Sequence, residues 1–250
     1  MGTVAAWMSF VLAVGAAPSA LRAAALHPPL PVASQTNVLI QSEARVAEFD
    51  LSGAAKLLEG ASQIGDVFAR VPAVYVRGLL QAHEASRAGG SPDSLAPVRQ
   101  AIAWLEIAAN GRSGSAEIAR LVLQAAAAAA QSEREEMRLY LDTAIRTETL
   151  QRAAGLPGAP LVSAVEIAGD LWLQVHRYDE ARRAYDEAAQ HVGSSLRILS
   201  GRARAARGAN DLSAACAGFR ALIEAWGSRP AQPAEIGEAH AYVAGSCEVK

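Results

Sequence analysis

Apolar positions along the chain recur at intervals of three and four residues, and no run alternates as a half-buried strand would. Ala181, Ala184, Tyr185, Ala188 and Val192 fall at i, i+3, i+4, i+7 and i+11, one face of a helix, with Asp179 placed to cap its start. Val165, Ala168, Leu171, Trp172 and Val175 share a face of the preceding helix, which Ser163 and Glu166 open as a capping box. Only His176, Arg177 and Tyr178 separate the two, so they are expected to fold back as an antiparallel hairpin. The device recurs downstream. Residues 195–207 read as a helix, 208–210 as a turn and Asp211 as a cap. Leu212, Ala215, Cys216, Phe219, Leu222, Ile223 and Trp226 then form a wide apolar stripe.

Upstream, residues 50–58 echo the segment after Asp211 and are expected to be the second helix of a first pair. Ser132 and Glu135 read as a capping box opening a helix through Met137, Tyr140, Leu141 and Ala144, with 116–130 as its partner. A further pair spans 71–87 and 94–109 around the turn at Gly89, Gly90, Ser91 and Pro92. Ala54, Val98, Met137, Ala181 and Ala215 are taken as equivalent positions. Residues 155–160, rich in glycine and proline, interrupt any continuous helix as a loop or hinge. The chain thus divides into helix pairs at 35–64, 71–109, 116–147, 161–192 and 195–226, with a last helix at 234–247 covering the open end.

The stretch 161–226 resembles tetratricopeptide (TPR) repeats, whose pattern sets a small residue in the first helix, an aromatic near the turn, and spaced alanine, aromatic and alanine in the second. Gly169, Trp172, Tyr178, Ala181, Tyr185 and Ala188 stand at those places, and Gly201, Ala215 and Phe219 repeat part of the set. Ala181 and Ala215 are 34 residues apart, the family period, while the closing proline is replaced by Gly193. The resemblance implies an all-α fold of antiparallel helix pairs stacked as a right-handed superhelix with a C-terminal capping helix. It implies a concave groove lined by first helices, with Ser163, Glu166, Asp170, Leu173, Gln174, Ile198, Arg202 and Ala206 facing a bound protein or peptide segment. In such a stack the start of one second helix lies near the end of the next first helix. Cys216 and Cys247 are therefore expected to form a disulfide, the alternative being two separate thiols with Cys216 a small core residue.

Composition changes this picture little. Of 250 residues 51% are hydrophobic and only 19% charged, and the net charge of −2, with no basic stretch interleaved with aromatics, argues against nucleic acid. Residues 1–25 carry one charge, Arg22, an apolar core at 7–14 and an A-x-A site at 23–25, the pattern of a signal peptide. An uncleaved anchor or a misassigned start are the other readings of that segment. Pro28, Pro29 and Pro31 make 26–34 an extended leader. Two cysteines suit an exported protein, periplasmic or secreted. No phosphate loop, dinucleotide fingerprint, metal-binding helix or nucleophile elbow occurs, and His83 beside Glu84 reads as exposed helix-end residues. Trp172, Tyr178, Tyr185, Phe219 and Trp226 are read as core. No catalytic residue, cofactor or metal is expected, and the partner and oligomeric state stay open. The reading is a non-catalytic scaffold or adaptor of the cell envelope. The alternatives are an envelope assembly factor or chaperone, or an enzyme whose site is assembled from distant residues.

Overall fold

The computed structural model describes residues 32–63, 67–110, 113–230 and 232–247, and among them every regular element is helical. In chain order these are α1 (Val32–Ala47), α2 (Leu51–Gln63), α3 (Val67–Arg87), α4 (Ala96–Asn110), α5 (Gly114–Ala130) and α6 (Arg134–Ala153). They continue with α7 (Ala164–Gln174), α8 (Tyr178–Val192), α9 (Leu196–Gly208), α10 (Leu212–Trp226) and α11 (Ala234–Tyr242), which runs on into a π turn (Val243–Cys247). Residues 1–25, expected to be a signal peptide, lie outside the described residues. So does most of the leader, whose last three positions are already helical.

Each helix packs on its neighbour in the chain, and the first helices also pack on one another, α1 on α3, α3 on α5, α5 on α7 and α7 on α9. This close approach needs small side chains. The alanines of α5 supply them, since Ala125, Ala126, Ala128, Ala129 and Ala130 are all buried. A Cβ on Gly78 of α3 would stand 2.4 Å from a methyl of Leu123 on α5.

Four of the five pairs share one turn. Phe49, Ser132, His176 and Asn210 each adopt a positive φ (66°, 63°, 59° and 59°) two residues after the first helix ends and two before the second begins. In each turn the next N–H reaches back five residues, as in Asp50 to Arg45 O, Glu133 to Ala128 O, Arg177 to Trp172 O and Asp211 to Ala206 O. This is the Schellman closure of a helix, made here without glycine. It overturns two expected caps. Ser132 closes α5 instead of opening α6, and Arg177 instead of Asp179 takes the N-cap of α8, with no side-chain cap bond at either helix start. Ser163 and Asp211 do cap, accepting from Glu166 N at 3.3 Å and Ala214 N at 3.0 Å. The shared turn fixes a shared register, so that Ala54, Met137, Ala181 and Ala215, each the fourth residue of its helix, are all 0% exposed, and Val98 of α4, which follows a longer turn, is 0% exposed as well. Leu212, expected on the apolar stripe, is 55% exposed because it is the first residue of α10 and lies beyond the reach of α9.

The last helix is held from two sides. Phe219 of α10 meets Tyr242 of α11 at 4.8 Å between ring centroids, and the guanidinium of Arg207 lies over both rings. Cys216 and Cys247 form a disulfide, with Cα atoms 5.7 Å apart.

The glycine- and proline-rich segment after α6 is no free hinge. Glu148, buried on α6, accepts from Ala159 N at 3.0 Å and Ala164 N at 2.8 Å and pairs with Arg152 at 2.8 Å. One carboxylate thus fixes both the loop and the start of α7. Each carboxylate oxygen takes one of these backbone N–H groups, so replacing Glu148 with Gln keeps one acceptor and turns a donor toward the other N–H. A loss of about 1–3 kcal/mol is expected, together with faster proteolysis between residues 154 and 163. Urea unfolding and limited digestion check both.

Candidate binding surface

Of the residues expected to line a concave groove, half are buried. Ser163, Glu166, Ile198 and Ala206 are buried, Asp170, Leu173 and Gln174 are half-buried, and Arg202 is exposed. No residue of α5 or α7 stands exposed. The cause is the inward packing of α3, whose fully buried Tyr75 donates its hydroxyl to Val162 O at 3.2 Å, just ahead of α7. The first helices thus pack on one another and on the loop before α7.

Between α7, α8 and α9 lies a part-buried ionic cluster. Arg197, in the first turn of α9, donates from Nε to Glu166 at 2.6 Å and from Nη2 to Asp170 at 2.7 Å. Asp170 also accepts the Tyr185 hydroxyl at 2.6 Å. A cation at a helix start opposes the helix dipole, so Arg197 depends on these two acids, one turn apart on α7. The sequence reading missed Arg197. Its signal was an acid pair at i and i+4 on an otherwise apolar helix. Burial resists the charge on Arg197, but Asp170 and Glu166 outweigh it and hold the guanidinium protonated. Asp170 is therefore a structural residue. Arg202, in contrast, makes an exposed pair with Asp186 at 2.8 Å.

Burial raises Glu166 above the usual carboxylate range, against the pull of Arg197. A folded-state value raised above the unfolded one means that the folded chain holds this proton more tightly. The stability it contributes is therefore complete below the ordinary glutamate range and is lost as pH rises through the raised value. The stability of the native chain relative to Glu166→Gln should accordingly fall over the interval that begins at the ordinary glutamate range, about pH 4, and extends upward from it. Thermal unfolding of both proteins across that interval is the check, and a difference that widens with pH would contradict it.

Recesses do open on the outer side, between successive second helices. The first, about 350 Å³, lies between α2 and α4 over α3, with Glu59, Arg70, Arg77 and Trp104 in its lining. Another of about 290 Å³ lies between α4 and α6 over α5 and sets Arg99 against Glu106, Glu133 and Glu136. A recess of about 340 Å³ lies between α6 and α8 over α7 and is lined by Arg134, Glu135, Arg138, Trp172, Arg177, Glu180 and Arg183. Trp172, expected in the core, is only half-buried and belongs to this lining, and Tyr178 is half-buried as well. Tyr185, Phe219 and Trp226 are buried as expected. His83 and Glu84 are exposed near the end of α3.

Among the described residues no group of three or more His, Cys, Asp or Glu is placed to hold a metal ion, and no helix is long and apolar enough to cross a membrane. No family model matches the chain, and no curated protein or solved structure matches it either.

Proposed function

We propose that the chain is a non-catalytic binding scaffold of the tetratricopeptide-like class, exported to the cell envelope, with its helix pairs wound as a right-handed superhelix. Its binding face is the outer one. The observation that carries this reading is the series of recesses between α2 and α4, α4 and α6, and α6 and α8, each walled by two second helices and floored by the first helix between them. A solvent-filled trough that repeats along a stack can hold an extended segment of another protein by several small contacts, none of them deep. The recurring turn and the burial of Ala54, Met137, Ala181 and Ala215 at the same place in their helices support the likeness to a repeat array. The Cys216–Cys247 pair supports export, because oxidising compartments sustain such bonds.

The experiment places a photoreactive amino acid at Arg70, Gln131 or Arg138, exposed residues in the linings of the three recesses, and at Glu84 and Arg204 as exposed controls on first helices. The protein is irradiated in its own envelope. Adducts to one protein from the recess positions and none from the controls are expected. Adducts from Glu84 and Arg204 alone would overturn the reading.

A further inference from the structure

We infer that the recess between α6 and α8 receives a short acidic segment of the partner protein, an apolar side chain of that segment lying against Trp172. The inference rests on the outer-face reading above and names the chemistry one part of that face recognises.

Four guanidinium groups line this recess against two carboxylates, Glu135 and Glu180. Their internal pairing is incomplete. Arg177 and Arg183 share Glu180, Arg183 only at 3.9 Å. The ion pair of Arg138 is with Asp142 at 3.6 Å, both side chains about 60% exposed, and exposed pairs of this kind hold weakly. Arg134 makes no ion pair among the described residues. Guanidinium forks match carboxylates in a bidentate way, so unspent donors here favour carboxylate over neutral polar ligands. The starts of α6 and α8 both lie at this recess, without side-chain caps, and add the positive ends of two helices. Charge also separates this recess from its neighbour between α4 and α6, where one arginine faces three glutamates.

The occupant follows from the size and the setting of these charges. About 340 Å³ holds one or two side chains. A nucleic acid would carry phosphates onward past Glu135, Glu180 and the adjacent Asp179, which repel it. A peptide can set one or two carboxylates among the arginines and continue in neutral residues. The indole of Trp172, half-buried in the lining, offers an apolar face to a residue between those carboxylates.

The probe is a synthetic octapeptide with four glutamates flanking a central leucine, titrated into the full chain by calorimetry. A matched peptide with lysine in place of glutamate, a DNA duplex and phosphatidylglycerol vesicles serve as competitors. Binding of the glutamate peptide is expected, at least tenfold weaker after Arg134→Glu with Arg138→Glu, weaker again after Trp172→Ala, and weakened by salt. Thermal unfolding establishes that each variant folds, and Arg134→Gln with Arg138→Gln replaces any that does not. No binding of the glutamate peptide would overturn the inference. So would unchanged affinity in the arginine variants, or equal binding of the lysine peptide, DNA or vesicles at the same arginines. If the peptide fails while photoadducts persist at Arg70 and Gln131, the outer face still binds and this recess does not take acid. If adducts are lost at every recess position, the outer-face reading falls as well.

Discussion

Replacing Tyr185 with alanine should destabilise the chain by about 3–5 kcal/mol, the cost of removing a large buried ring from a packed interior. At this chain length that corresponds to a fall of about 6–20 °C in Tm. Tyr185 is 0% exposed and lies in a slot between two glycines of successive first helices. A Cβ on Gly169 would stand 2.6 Å from the ring, and one on Gly201 would stand 2.1 Å from it. The two hydrogen side chains let α7 and α9 close on the ring of α8 from both sides. The hydroxyl is then delivered to Asp170, which holds Arg197. One side chain thus joins three helices and anchors the ionic cluster. The same geometry predicts that Gly201→Ala costs about 1–3 kcal/mol in the native chain through overpacking. It should cost far less where Tyr185 is already alanine, because the methyl then enters the vacated space. A double-mutant cycle by urea unfolding measures the coupling. Costs that add to within about 0.5 kcal/mol would show that the slot is not as tight as described.

Removing the disulfide should cost about 3–4 kcal/mol, from the restriction that a bond between residues 31 apart places on the unfolded chain. The loss should be uneven. The π turn ending at Cys247 contains no buried residue, so without the bond it is held only by Val243 against the Phe219 cluster and by a long bond from Arg220 to Cys247 O at 3.4 Å, besides its continuity with α11. Cys216 is 8% exposed on α10, packed in the stack and able to persist as a small apolar residue. The double replacement Cys216→Ala with Cys247→Ser should therefore unfold at lower urea and should first expose the chain after Gly227. Trp226, 4% exposed and packed in one cluster with Ile236 and Ala239, reports the release of α11 by its fluorescence. An unchanged midpoint in the double variant, or in native protein treated with a thiol reductant, would contradict this.

The pairs were legible in the sequence because a helix with one buried face writes a period of 3.6 into its residues, and the loops of α7–α8 and α9–α10 are short enough to force reversal. The cysteine pair was legible for the same reason, since alternating helix directions bring the start of α10 to the end of α11. The reversal itself was not. Its left-handed position is filled by Phe49, Ser132, His176 and Asn210, four residues with no common chemistry, so the turn repeats in the backbone without repeating in the side chains. The openness of the inner face was also out of reach. A run such as Ala125–Ala130 has no polar side and packs equally well against one neighbour or four, and here α3, α4, α6 and α7 all touch α5. Charged side chains are mostly exposed, which is why Glu166 and Asp170 read as groove residues. The partner that lets Glu166 lie inside and holds Asp170 beside it, Arg197, comes from 27 to 31 residues further on. Trp172 sits on a helix face like its buried neighbours, and only the separation of α6 from α8 leaves it open to solvent.

The claim on which all of this turns is that the first helices form a closed interior and leave the outer face to bind. Amide hydrogen exchange of the free protein, resolved by peptide, tests it most directly. The amides of α5 and α7 should exchange only as fast as global unfolding allows, since no residue of either helix is exposed. The outer helices α4 and α6 should exchange faster, by local opening. If α5 and α7 exchange as readily as α4 and α6, the interior is an open groove and the outer-face account is wrong.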